Sequence, residues 1–171
     1  GFSIASSSFG NALGIATNNS LFWVFDQPGV ALYIFNSSGA NQTGGFSVFN
    51  VIGSASIGGF ATNNSDYWFP ETLDDFVFHF NRAGNNLTDG FSVGSAGSST
   101  PVALVKNNSD FWILDSTDDF IYRFKGGANQ SGGFSTAVIG ASDATGLTRN
   151  GSDFWILDTA DGFVYHTNRT G

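Results

Sequence analysis

Nine asparagines in this 171-residue chain open an Asn-x-Ser/Thr triplet, the acceptor pattern for N-linked glycans: Asn18, Asn36, Asn41, Asn63, Asn86, Asn107, Asn129, Asn150 and Asn168. Asn, Ser and Thr are common here, and they also make turns through their own side-chain hydrogen bonds. Carboxylates form a second set: Asp26; Glu71, Asp74, Asp75; Asp115, Asp118, Asp119; Asp158, Asp161; with Asp143 apart. Turn formation is the plain expectation for them. Calcium is the one cofactor they leave open, since Ca²⁺ takes several oxygen ligands. Asp115, Asp118 and Asp119 are weak candidates, because Asp-x-x-Asp-Asp lacks the ligand density and the glycine of an EF-hand loop. The two histidines, His79 and His166, hold equivalent places where other repeats have Ile34 and Arg123, which reads as a solvent-facing position. Acid–base work would require an oriented partner for either imidazole. Cysteine is absent, so there is no thiol nucleophile, thiolate metal site or disulfide. Nucleophile elbow, phosphate loop and zinc spacing are also missing, and the chain is expected not to be an enzyme.

These residues recur on a beat. Asn18-Asn19-Ser20 precedes Trp23, Asn63-Asn64-Ser65 precedes Trp68, Asn107-Asn108-Ser109 precedes Trp112, and Asn150-Gly151-Ser152 precedes Trp155; the leading asparagines are 45, 44 and 43 residues apart. Gly-Phe-Ser keeps the same period at Gly1, Gly45, Gly90 and Gly133. A fixed period of this length marks a repeat architecture. The repeats run 1–44, 45–89, 90–132 and 133–171 within a single domain, 1–171.

Composition fits a packed β protein. Aromatic residues are 16% of the chain and charged residues 12%, about half the usual charged share. The net charge of −8 argues against nucleic acid as a partner, which would need a basic patch. No apolar run is long enough to span a membrane as a helix. Methionine is absent, and the chain is expected to be a processed product or a segment of something longer.

Each repeat reads as four short strands, a to d. In the third, residues 101–106 form strand a, Asn107-Asn108-Ser109 the turn, and 110–114 (Asp-Phe-Trp-Ile-Leu) strand b. Residues 115–119 are a polar hairpin loop, 120–124 alternate as strand c, 126–132 read as a Gly/Asn/Ser loop, and 133–138 as a weaker strand d. No stretch holds a 3.6-residue period. Four antiparallel strands per unit of this length is the β-propeller blade. The order "strand, Asn-x-Ser, Asp-Phe-Trp-Ile-Leu-Asp, loop, Phe-Val-Tyr" resembles NHL-type and related bacterial propeller blades. That resemblance implies an all-β propeller of four four-stranded blades and is silent on activity. Trp23, Trp68, Trp112 and Trp155 are expected to pack between blades as the repeat core; sugar stacking would need exposed rings.

The chain begins on a strand d and ends after a strand c. The N-terminal strand, residues 1 to about 7, is expected to complete the last blade. Its rivals are addition of that strand to a second subunit, head to tail, and continuation of the array beyond Gly171. In an up-and-down meander the a–b and c–d connections share one end, so all nine triplets fall there and the carboxylates on the other. The functional expectation is an extracellular or cell-surface, N-glycosylated structural propeller, a self-associating building block of a fibril, sheath or surface layer. The alternative is a lectin- or adhesin-like binding module using the sugar-free face.

Overall fold

The computed structural model describes residues 1–4, 10–18, 20–27, 29–53 and 56–168. Among these, four antiparallel sheets stand in a ring as the blades of a four-bladed β-propeller. Blade one holds β1 (Ala12–Thr17), β2 (Leu21–Asp26), β3 (Ala31–Asn36) and β4 (Asn41–Ser47). Blade two holds β5 (Ala61–Thr62), β6 (Asp66–Glu71), β7 (Phe76–Asn81) and β8 (Asn86–Ser92). Blade three holds β9 (Pro101–Asn107), β10 (Asp110–Asp115), β11 (Phe120–Lys125) and β12 (Ala128–Ser135). Blade four holds β13 (Ala144–Asn150), β14 (Asp153–Asp158) and β15 (Val164–Thr167). Within each sheet the strands pair in sequence order, as up-and-down connection requires.

Both repeat markers have a local physical cause. In the a–b turn, Asn63 Oδ1 accepts the Ser65 N–H, the Ser65 hydroxyl and the Asp66 N–H; Asn18 does the same for Ser20 and Leu21. The next residue turns left-handed (Asn64 φ 80°, Asn108 φ 54°, Gly151 φ 62°), and Asn and Gly tolerate that best. In Gly-Phe-Ser, a Cβ on Gly45 or Gly133 would stand 2.6 Å from the carbonyl oxygen of Leu32 or Ile121, and one on Gly90 2.8 Å from that of Val77. The glycines follow register shifts in the c–d pairing and let strand d close onto strand c there. The serine hydroxyl then bonds the b–c hairpin, as Ser135 to the Asp119 carbonyl at 3.1 Å.

The outer strands start earlier than the sequence predicts. Residues 126–132 read as a loop, yet β12 begins at Ala128 and pairs with β11 from Lys125 onward. Glycine and asparagine hide the strand from propensity reasoning, while the hydrogen-bonded ladder and the bulge sustain it.

The phenylalanine of the marker crosses to the next blade. Phe46 meets Tyr67 and Phe80 at 5.4 and 6.1 Å, Phe91 meets Phe111 and Phe124 at 5.2 and 5.5 Å, and Phe134 meets Phe154 at 5.4 Å. Buried side chains gather into three cores, one each between blades one and two, two and three, and three and four.

Blade four has three strands among the described residues. Part of the N-terminal stretch expected to complete it, residues 5–9, lies outside them, as does the end of the chain, residues 169–171. Residues 1–4 carry no strand assignment. Phe2 nevertheless sits 5.1 Å from Phe22 and 6.2 Å from Phe35, against Gly39. Those are the blade-one counterparts of the seats used by Phe46 and Phe91.

Candidate functional site

The last residue of every strand b is an acid: Asp26, Glu71, Asp115 and Asp158, all buried. Their spacing repeats the 45, 44, 43 beat, a signal present in the sequence that marks them off from the neighbouring loop acids. Asp115 Oδ2 accepts the Ser98 hydroxyl at 2.8 Å and the Ser99 and Thr100 N–H groups at 2.7 Å; Oδ1 accepts the Thr117 and Asp118 N–H groups at 2.9 Å. One carboxylate thus ties the d–a loop to the b–c hairpin. Asp26 repeats this with Gly10, Asn11 and Gly29, and Asp158 with Asp143, Ala160 and Asp161. Glu71 accepts the Leu73 and Asp74 N–H groups. Burial alone would push the Asp115 carboxyl up, but donation from Thr100, Asp118, Ser98 and Ser99 outweighs it and holds the group below the ordinary Asp value. Asp158 is also held low, led by the Asp143 N–H.

This donor set bears on calcium. The Asp115 oxygens are occupied by five N–H and O–H donors, whereas a cation would need those lone pairs. Asp118 Oδ2 accepts the Tyr122 hydroxyl at 3.0 Å, and burial together with this bond pushes that phenol up to about 12. Asp119 serves the hairpin, at φ 49° with its carbonyl accepting the Thr136 N–H. Among the described residues no three His, Asp or Glu side chains gather as ligands.

The strand-c position shared by Ile34, His79, Arg123 and His166 is not the uniform solvent face expected. It lies directly opposite the strand-b tryptophan in the antiparallel register. His79 is buried and stacks on Trp68 with centroids 4.4 Å apart and planes at 16°; His166 stacks on Trp155 at 4.7 Å and 20°; the Arg123 guanidinium lies 5.5 Å over Trp112. Each polar member meets a carboxylate. His79 Nδ1 is 2.6 Å from Asp89, Arg123 bonds Asp110 at 2.7 Å, and His166 Nε2 is 3.5 Å from Asp153. Cross-strand pairing with the ring burial of tryptophan sets the burial of this position, which alternation on strand c alone does not reveal. Among the described residues, neither His meets the acidic b–c hairpins. Trp23, Trp68 and Trp112 are buried between blades, and Trp155 is half-buried.

The inner strands of all four blades surround a central channel. Its a–b end is a space of about 450 Å³ with Thr17, Thr62, Lys106 and Arg149 at equivalent places; the other half, about 460 Å³, is lined by apolar and glycine residues and by Thr145. Both cations lie over aromatic faces: Lys106 Nζ 4.7 Å from the Trp68 ring, Arg149 5.2 Å from Phe154 and 5.7 Å from Trp112.

The strand order puts all nine triplet asparagines at the end of the sheets that carries the a–b and c–d connections. Asn18 and Asn36 are half-buried and Asn18 Nδ2 bonds Asn64 Oδ1 at 3.0 Å; the other seven are exposed. The sequence reading places Asn41, Asn86 and Asn129 in c–d loops; they lie instead on the outermost strands, paired with Phe35, Phe80 and Phe124. Asn168 follows β15 in the place of Asn36.

The sheets and channel define a β-propeller. No family model and no curated protein matches the sequence. Solved structures do. Virginiamycin B lyase from Staphylococcus aureus superposes with a TM-score of 0.60 at 17% identity, over 92% of this chain and 55% of the lyase. Glutaminyl cyclase from Myxococcus xanthus gives 0.60 at 14%, over 90% of this chain and 68% of that one. A chain of the nidogen/laminin complex gives 0.58 at 13%, over 92% and 75%. At these identities the likeness is one of fold, and the chain spans about half the length of the lyase. The same fold carries varied functions across these three proteins.

Proposed function

We propose that this chain is an N-glycosylated, extracellular structural propeller without catalytic activity, a self-associating building block of a fibril, sheath or surface layer. The observation that carries the reading is the row Asn41, Asn86 and Asn129. These acceptors sit exposed at the same register of three outermost strands, on the end that also bears the six other triplets. A sugar coat there shields and solubilises one end of a disc that has only 12% charged residues. Support for a non-catalytic role comes from the ionisable groups: the buried carboxylates accept backbone N–H donors, and the channel cations lie on aromatic rings. The buried tryptophans favour this reading over a sugar-binding module, since stacking on a ligand needs exposed rings.

Intact-mass measurement of natively produced protein, before and after an N-glycan-removing enzyme, tests the coat. A mass loss is expected that shrinks stepwise with Asn41→Gln, Asn86→Gln and Asn129→Gln. An unchanged mass contradicts it.

A further inference from the structure

Positive charge gathers at one end of this acidic molecule. Arg82, Lys106, Arg123, Lys125 and Arg149 all stand toward the a–b and c–d connections. Of the 14 carboxylates only Asp66, Asp89, Asp110 and Asp153 share that end. Each of these four faces a strand-c side chain: Asp110 bonds Arg123, Asp66 and Asp89 flank His79, and Asp153 lies 3.5 Å from His166. Among the described residues no carboxylate lines the a–b end of the channel, whereas Lys106 and Arg149 both do, from the neighbouring inner strands β9 and β13. Two residues further in along each inner strand, Ile15, Phe60, Leu104 and Leu147 form a ring of equivalent apolar side chains that borders both halves of the channel. Asn107 and Gly151, from the a–b turns, stand at the rim.

We infer that this end of the channel binds an organic anion made of an oxyanion head and an apolar body, with the head between Lys106 and Arg149 and the body against Ile15, Phe60, Leu104 and Leu147. The site goes beyond the building-block reading and does not depend on it. Like charges that border one space repel, and an anion between them replaces repulsion by attraction. Arg and Lys also supply the N–H donors that carboxylate and phosphate oxygens accept. Lys106 spends one of its three donors on the Asn108 carbonyl. The rings under both cations hold the two heads at the channel wall. The threonines at the same level serve the turns instead: the Thr17 hydroxyl donates to the Leu21 carbonyl at 2.9 Å, and the Thr62 hydroxyl accepts the Asn64 N–H at 3.0 Å. Recognition of charge therefore falls to Lys106 and Arg149. A bare ion would leave the apolar ring in contact with water, and a neutral apolar molecule would leave the cations unused; a ligand with both parts satisfies both. Spaces of about 450 and 460 Å³ that meet at the ring suit a small molecule of this kind.

Isothermal titration calorimetry of the intact chain with octanoate, octyl phosphate, acetate and octanol tests the site. Octanoate or octyl phosphate is expected to bind one to one, and the ratio of their affinities identifies the preferred head. Acetate, a head without a body, and octanol, a body without a charge, are each expected to bind about tenfold more weakly or worse. Lys106→Gln and Arg149→Gln are each expected to weaken the binding of the preferred octyl anion by about tenfold or more, with Arg149→Lys retaining more of it than Arg149→Gln. Thr17→Asp sets a carboxylate at the equivalent place on an exposed residue and is expected to remove binding while the circular dichroism spectrum stays unchanged. The inference is overturned if neither octyl anion binds, or if the Arg149→Gln and Thr17→Asp chains bind as tightly as wild type. Acetate as tight as octanoate overturns the apolar half of the site, and octanol as tight as octanoate overturns the role of the two cations. None of these results bears on the sugar coat, which the mass measurement tests separately.

Discussion

Asp115 shows how much of this molecule is decided by single side chains. Its five donors come from two loops that nothing else joins as densely. Asp115→Ala removes the acceptor of five donors, of which the Ser98 hydroxyl is buried and the four N–H groups partly so, and should cost about 3 kcal/mol of unfolding free energy in denaturant titration. The pH dependence follows from the same bonds. Asp115 and Asp158 titrate below the ordinary Asp value in the folded chain, so near pH 4 the unfolded chain binds more protons. Their stabilisation is therefore complete above that range and is lost as pH falls through the folded values. Tyr122 is the mirror case: its phenol titrates near 12 when folded, so its contribution holds below about pH 10 and fades between there and 12. Melting temperatures should be flat from about pH 5 to 9 and drop on both sides; a rise on acidification contradicts this. At this scale the sequence showed which residues recur but not what they do. The acids' spacing was visible, whereas the burial of His79 depended on Trp68 lying opposite it across the strand pair.

The Gly-rich strands d were the least legible elements, because their residues have low strand propensity and one of them must lack a side chain. Gly90→Ala places a Cβ 2.6 Å from the Phe76 ring and 2.8 Å from the Val77 carbonyl oxygen, and neither the strand-c backbone nor its ring can yield without loosening the ladder. A loss of about 2 kcal/mol is expected from chemical denaturation. Gly151→Asn is the contrast. Gly151 has φ 62° with open space around it, and Asn64 and Asn108 adopt the same turn elsewhere. That substitution should stay within about 0.5 kcal/mol of wild type. Strands b and c, with their aromatic and β-branched runs, were legible almost residue for residue; strand c of blade four begins at Val164, so Phe163, the counterpart of Phe120, stands outside it.

At the level of the whole molecule, the period alone announced four blades and an up-and-down sheet in each, and the ring follows from packing them. The exposure of Val164 and Ile15 was hidden, because Val164 is the same kind of residue as Ile121 and Ile15 the same kind as Leu104. Repeat identity tells what a residue would pack against and says nothing of how far it is covered. The consequence is measurable as an asymmetry between equivalent positions. Trp112→Ala empties a filled junction and should cost about 4 kcal/mol. Trp155→Ala removes a ring that is only half-buried and should cost about 1–2 kcal/mol. The most direct measurement is a density map of the native material at a resolution that separates blades. Four blades about one axis are expected, with sugar density confined to the end that bears Asn41, Asn86 and Asn129. Sugar density at the opposite end, or at none of the nine triplets, would contradict it.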